Sequence, residues 1–197
     1  MAHLPAWPSY DIGPPGSALA LGVASVNYAG LEWAFGSMFA QISGRSSEQT
    51  WPELRKMRSN NDRIKRIRSV LHKRDWPDDL KDKAAHFIKA FEILTDNRNL
   101  LDHSDIFRIG TEEPISLYKY DKDGKTIHIL VTLEQVRKVA DDMRMFTDYG
   151  VTLVNAISLE AAGSTLLLPA SITKPPLPQR LEYTSEPLPL TRSGPPT

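Results

Sequence analysis

Cysteine is absent from this chain, and proline is nearly absent from its middle. Without cysteine there can be no disulfide, no thiolate metal ligand and no cysteine nucleophile, which suits a reducing compartment such as the cytoplasm. Of the 15 prolines, four precede residue 17 and eight follow residue 163; between them lie only Pro52, Pro77 and Pro114. Because proline interrupts helices, this distribution predicts a helical domain over residues 17–163, with disordered segments at 1–16 and 164–197.

The chain also lacks a dominant charge and the familiar catalytic motifs. Lys+Arg and Asp+Glu both number 24, so no global field attracts nucleic acid or a membrane. No glycine-rich phosphate loop, H-E-x-x-H or G-x-S-x-G is present, and the five histidines are too scattered to indicate a zinc site. We therefore expect no metal and no cofactor. The start carries no basic region of a secretory signal, and Asn27 and Glu32 argue against a membrane span over residues 18–42.

Apolar residues at helical spacing predict four helices. Capping residues and acids or prolines at the first turn mark where the helices begin. The first helix is expected over Ser17–Ile42, closed by Ser43-Gly44, and the second from Thr50-Trp51-Pro52-Glu53 to Leu71. The third is expected to begin at Asp75-Trp76-Pro77-Asp78-Asp79, and the fourth to run from Thr132-Leu133-Glu134-Gln135 towards Ala162-Gly163. In the first helix the residues that recur at roughly this spacing are Leu19, Val23, Val26, Gly30, Trp33 and Met38.

After Pro114 the period changes from helical to alternating. Residues 115–120 and 127–131 alternate between apolar and polar, and Asp123-Gly124 between them predicts a turn that needs a positive φ. The expected fold is therefore mainly α, a four-helix bundle with a β-hairpin inserted between helices three and four.

The end of the third helix carries an arginine on its inner face. Phe87, Phe91 and Leu94 mark that face, and the next position in the series is Arg98. Arginine is almost never buried without a partner, so this guanidinium needs an ion pair or a function. The structural explanation is an ion pair with Asp102, four residues on, or with Asp105.

The functional explanation comes from the short motif Arg98-Asn99-x-x-x-His103. It resembles the signature of the HEPN superfamily, in which an arginine and a polar residue are followed by a histidine four to six residues after the arginine. Arg66 and His72 fit the looser spacing as well, but an isoleucine follows that arginine. The expected bundle, with the motif late in a middle helix and one long helix after it, is similar to the layout of that family.

The resemblance implies a metal-independent endoribonuclease that cleaves RNA by attack of the 2′-OH, as a toxin or phage-defence effector with a possible cognate antitoxin. It implies that Arg98, Asn99 and His103 are catalytic and that two motifs are paired across a homodimer. Histidine suits the proton transfers, and the guanidinium fork suits the phosphate. Glu32 and Asp102 are weaker candidates for polar contacts to the motif. On an ideal helix Arg98 and His103 are about 140° apart, so both serve one site only if the helix ends near Leu101.

A local excess of positive charge offers a surface for RNA. Residues 51–74 contain nine Lys/Arg against two acids, and four of these cations are candidate RNA-binding residues: Arg63, Lys65, Arg66 and Arg68. The alternative is a solubilising surface, neutralised by the acids just downstream. On the hairpin, Tyr118, Tyr120 and His128 could stack on bases or simply pack.

A second class of function stays open at this point. The chain could be a non-catalytic helical module that binds a protein or nucleotide, with Arg98 as a structural ion-pair residue. The proline-rich tail, with a PxxP spacing at Pro175 and Pro178, could also be a ligand for an adaptor domain.

Overall fold

A computed structural model describes residues 16–107, 114–120, 123–124, 126–161 and 172–182. Within these ranges the chain is mainly helical, with a small antiparallel sheet between the last two helices. The helices and strands, in chain order, are α1 Ser17–Ser43, α2 Ser47–Lys56, α3 Asn60–His72, α4 Asp78–Asp102, β1 Asp105–Phe107, β2 Ile115–Tyr120, β3 Thr126–Val131 and α5 Leu133–Ala161. None of the described helices combines the length and apolar character needed to cross a membrane. Of the segment 1–16 that was expected to be disordered, residues 1–15 lie outside the described residues, and Gly16 is the N-cap of α1.

Helix α1 has the predicted ends but buries a different face. It stops at Gly44, whose φ of 66° allows its N–H to reach the carbonyls of Ala40 and Gln41. Of the apolar stripe found in the sequence, Met38 is fully buried, whereas four members are open to solvent: Leu19, Val23, Val26 and Trp33. The buried face is instead formed by Ala20, Ala24, Tyr28, Leu31 and Phe35. Because α1 is apolar on all sides, its periodicity does not distinguish the core face from the exposed one.

The second predicted helix is two helices, which makes five described helices rather than four. A new helix begins after Ser59, whose hydroxyl accepts the Asp62 N–H at 3.1 Å as an N-cap. The first of the pair also starts earlier than predicted, because Gln49 reaches back to the N–H of Ser46 at 3.3 Å. The sequence prediction placed the first cap at Thr50 instead of Ser46, and it missed the cap at Ser59 because Leu54 to Leu71 were treated as one stripe.

The core lies between α1, α4 and α5, with α3 against α1 and α4. Its centre is aromatic: Phe35 stacks on Phe91 with ring centroids 4.0 Å apart. Phe87 is also fully buried and packs against Gly150 of α5, where a Cβ atom would lie 2.5 Å from the Phe87 ring. The phenylalanines that the sequence assigned to the inner face of α4 therefore do form the core.

The predicted hairpin is confirmed, and a third strand is added to it. Ile115 pairs with Val131 and Tyr120 with Thr126, with Gly124 at φ 77° in the connection. The short strand β1 follows α4 and pairs with the other side of β2. Three residues carry too little alternation to be recognised as a strand from sequence.

The C-terminal segment departs from the expected disordered tail. Residues 172–182 form no helix or strand, but they lie along α4 and Pro178 is buried there. Residues 162–171 and 183–197 lie outside the described part of the chain. The long-range contacts that hold this segment have no local sequence signal, so composition alone pointed to disorder.

Candidate active site

The end of α4 places His103 beside Arg98. The helix ends at Asp102, and His103 is its C-cap, with φ −111° and ψ 10° and its N–H bound to the Asn99 carbonyl at 3.2 Å. Beyond this point the chain turns into β1. The condition set by the sequence, that the helix must end near Leu101 for both side chains to serve one site, is therefore met.

Arg98 and His103 are in direct contact on an exposed surface. Nη1 of Arg98 lies 3.2 Å from Nε2 of His103. Arginine only donates, so this contact is a hydrogen bond in the tautomer whose Nε2 carries the lone pair. In this arrangement the histidine nitrogen that faces the guanidinium carries a lone pair and can take up a proton once the arginine turns to another acceptor.

Two further polar side chains complete the cluster. Asp102 Oδ2 lies 2.6 Å from Nε of Arg98, an ion-pair contact without hydrogen-bond alignment. Asn99 Oδ1 accepts from Nη1 at 3.3 Å. The Arg98 side chain is 31% exposed and that of Asp102 24% exposed, so water still reaches the pair. Each of the two explanations of Arg98 is therefore matched by a contact: His103 fits the catalytic explanation, and Asp102 fits the structural one. The side chain of Asp105 lies outside the described part of the structure.

Tyr28 of α1 forms the floor beneath Arg98, a contact that sequence reasoning missed. The guanidinium carbon lies 5.2 Å from the ring centroid, within cation–π range. Burial raises the pKa of the Tyr28 hydroxyl above its usual range, and that hydroxyl is hydrogen-bonded to Thr95 at 3.2 Å and to Asn60 Nδ2 at 2.9 Å. The signal available in the sequence was Tyr28 itself, whose ring carries a polar hydroxyl in the mostly apolar helix α1.

Glu32 does not reach the motif directly. Its carboxylate binds Nη1 of Arg63 at 2.7 Å, and the same Nη1 donates to Asn60 Oδ1 at 3.0 Å. Since Asn60 also donates to Tyr28, the weaker candidate Glu32 is joined to the Arg98 cluster through a chain of three side chains. Glu32 therefore contacts the Tyr28 floor through Arg63 and Asn60 and makes no direct contact with Arg98 among the described hydrogen bonds.

The four candidate RNA-binding cations differ in how they are engaged. Arg63 is only 20% exposed and bridges Glu32 to the backbone of Leu54. Arg66 pairs with Glu53 and Arg68 with Glu92, both at 3.0 Å. Lys65 is exposed, and among the described residues no ion pair involves it. Arg66 is thus held by Glu53 on α2, and no contact joins it to His72 in the described structure.

Two of the three aromatic side chains in the described part of the hairpin pack on one another. Tyr118 and His128 are cross-strand partners whose rings stack 4.6 Å apart at 7°. Tyr120 is 71% exposed at the end of β2. Only Tyr120 therefore presents a largely open ring to solvent.

No group of three or more metal-ligating side chains is assembled anywhere in the described residues. Comparisons with protein-family models, curated proteins and solved structures gave no match for this chain. A functional assignment therefore rests on the geometry of the Arg98 cluster and on its resemblance to the HEPN motif.

Proposed function

We propose that this protein is a metal-independent endoribonuclease of HEPN type. The observation that carries the proposal is the 3.2 Å contact between Arg98 Nη1 and His103 Nε2 on an exposed surface. The motif spacing allowed this contact but did not require it, because the two residues diverge on an ideal helix. Five helices in which α4 contacts α1, α3 and α5 are compatible with a HEPN-type four-helix core plus the short α2.

The proposed reaction uses the substrate's own 2′-OH. A phosphodiester oxygen is anionic and competes better than imidazole for the Arg98 guanidinium, so substrate binding frees Nε2 of His103. That nitrogen removes the 2′-OH proton as the 2′-oxygen bonds to phosphorus and the bond to the 5′-oxygen breaks. The products are a 2′,3′-cyclic phosphate and a 5′-OH. Arg98 stabilises charge on the non-bridging oxygens, and Asn99 orients one of them.

The leaving 5′-oxygen needs a proton from a second acid, which is the chemical reason for a second motif in a homodimer. The exposed apolar face of α1 supports self-association. Leu19 and Val26 are both 72% exposed, Trp33 is 54% exposed, and no charged residue interrupts α1 before Glu32. Contiguous apolar surface of this kind marks an interaction site. Tyr28 of the same helix lies against Arg98, so the proposed interface adjoins the element that supports the site.

The proposed substrate is single-stranded RNA, attracted by the exposed cations of α2 and α3, and the proposed biological role is that of a toxin or phage-defence effector held in check by an antitoxin. Lys65 and the solvent-facing part of Arg66 and Arg68 offer charge to a phosphate backbone, although Glu53 and Glu92 offset part of it.

The test is cleavage of single-stranded RNA by the purified full chain in the presence of EDTA. We expect cleavage by the wild type and none by His103→Ala. His72→Ala is the matched control, because His72 is also exposed and belongs to the other match to the loose spacing; it should cleave at the wild-type rate. Cleavage that survives in His103→Ala, or a wild type without activity, would contradict the proposal.

The second candidate is a non-catalytic binding module. It is favoured by one observation, the 2.6 Å approach of Asp102 to Arg98, which is the ion pair expected of a structural arginine. The two candidates make different predictions for the stability of Arg98→Ala.

A further inference from the structure

The proline-rich segment 172–182 is bound along α4 by five polar contacts, which involve four residues of the helix. Lys174 pairs with Asp82 at 2.6 Å near the start of the helix, and the carbonyl of Pro175 contacts His86 Nε2 at 2.8 Å. Towards the end of the helix Arg180 pairs with Asp96. The segment therefore runs in the same direction as α4 and follows more than half of its length.

Asn97 recognises the backbone of this segment. Its Nδ2 donates to the Gln179 carbonyl at 2.8 Å, and its Oδ1 accepts the Leu181 N–H at 2.9 Å. Residues two apart in an extended chain present these groups on the same side, so one amide satisfies both. Asn97 is only 2% exposed, and both the nitrogen and the oxygen of its side-chain amide are hydrogen-bonded to the segment. Such a contact selects an extended backbone whatever the side chains.

The spacing of the charged residues and the positions of the prolines both fit an extended segment along α4. Asp82 and Asp96 are 14 residues apart in α4, or about 21 Å at 1.5 Å per residue. Lys174 and Arg180 are six residues apart and span about 20 Å only when nearly fully extended. Prolines at 175, 176 and 178 favour that extension before binding, and Pro178 is buried in the complex.

The segment lies on the domain without forming its core. Among the described residues, the last buried apolar residue of the core cluster is Ile157, whereas Ile172 and Leu181 are only partly buried and pack against that cluster. Ten residues, 162–171, connect the segment to the end of α5, which is enough to tether a ligand while leaving it separable. Its contacts are those of a bound peptide: backbone recognition, one buried proline and two flanking ion pairs.

We propose that the α4 face formed by Asp82, His86, Asp96 and Asn97 is a binding site for an extended proline-rich peptide with basic residues six positions apart. Residues 172–182 occupy it as an intramolecular ligand, which a matching segment from a partner protein can replace. The sequence feature that suggested a ligand for some other adaptor domain is therefore bound by this chain itself. This site is separate from the Arg98 cluster and does not depend on RNA cleavage.

A tethered ligand has an effective concentration in the millimolar range, so a peptide in trans must be tested on a chain whose own segment is disabled. The full chain with Lys174→Glu and Arg180→Glu places like charges opposite Asp82 and Asp96, and both substituted residues are surface-exposed. The probe is a fluorescent peptide with the sequence of residues 172–182, followed by anisotropy. The matched control peptide carries the same two glutamates.

We expect the native peptide to bind the double variant and the control peptide to bind at least about tenfold more weakly, while the wild-type chain resists both. Adding Asn97→Ala to the double variant should weaken native-peptide binding about tenfold, since it removes both backbone contacts, a loss of about 1.4 kcal/mol. Absence of binding up to about 1 mM peptide would overturn the proposal and make the segment a fixed part of the fold. Binding that ignores Asn97 and the glutamates would overturn it too.

Discussion

Replacing Arg98 by alanine separates the two readings of this residue. Its pair with Asp102 has side chains 31% and 24% exposed, and an ion pair four residues apart on a helix and open to water contributes about 0.3–1 kcal/mol. The cation over the Tyr28 ring at 5.2 Å adds about 0.5–1 kcal/mol. We therefore expect Arg98→Ala to lower the free energy of unfolding by about 1–2 kcal/mol. At about 2–4 °C per kcal/mol for a domain of this size, the melting temperature should fall by about 2–8 °C.

The assay is thermal unfolding followed by circular dichroism, with Arg144→Ala as the matched control. Arg144 forms the same type of pair with Asp148 at 3.2 Å, but the side chains are 68% and 61% exposed, so its loss should be hardly measurable. If Arg98 were instead a structural residue whose pair with Asp102 is shielded from water, its removal would cost about 3–5 kcal/mol, because the carboxylate would lose its only partner away from solvent. A loss of that size, recovered when Asp102→Ala is added to Arg98→Ala, would refute our reasoning.

Three further predictions concern the turn of the hairpin, the loss of stability at acid pH and self-association. Gly124→Val should lower stability by about 1 kcal/mol or more in urea unfolding, because φ is 77° while the space around a Cβ is open; unchanged stability would contradict the turn. The hydrogen bond from Arg45 lowers the pKa of the Glu53 carboxyl below the ordinary value of a glutamate, so the stability it confers is present above that ordinary pKa and is lost as pH falls through the folded pKa. Glu53→Gln should thus be less stable than wild type at pH 7, with a difference that shrinks in acid; a constant difference would exclude this linkage. Val26→Glu places a charge in the exposed α1 face and should convert a dimer to a monomer in light scattering with its helical spectrum unchanged, whereas a persistent dimer would place the interface elsewhere.

The features predicted correctly from sequence have local physical causes. Gly44 ends α1 because its positive φ is easily reached by glycine, and Thr132 and Gln135 cap the start of α5 through reciprocal hydrogen bonds of 3.1 and 2.8 Å. The hairpin follows from alternation and from Gly124. The split of the second helix also had a local signal, the cap at Ser59, which a continuous apolar stripe obscured.

The features that sequence reasoning missed depend on contacts between distant residues. The exposed face of α1 is settled by which side meets α4 and α5, and both sides of that helix are apolar. Asn97 binds Gln179 and Leu181, which lie 82 and 84 positions further along the chain. Composition therefore gave no sign that this segment docks on α4. In the site itself, the motif predicted Arg98 and His103. The contact of Arg98 with the Tyr28 ring was not predicted, because it joins residues that are 70 positions apart and depends on how α1 packs against α4.

The central claim is that His103 and Arg98 promote attack by the substrate's own 2′-OH, and one substrate comparison tests it most directly. Two RNA oligonucleotides, identical except for a single 2′-deoxy nucleotide at the mapped cleavage position, are incubated with the full chain in EDTA. The account predicts that the all-ribose strand is cut to a 2′,3′-cyclic phosphate and a 5′-OH, identified by mass spectrometry, while the 2′-deoxy strand survives at that position. Cleavage of the 2′-deoxy strand at the same bond, or products that carry a 5′-phosphate, would contradict it.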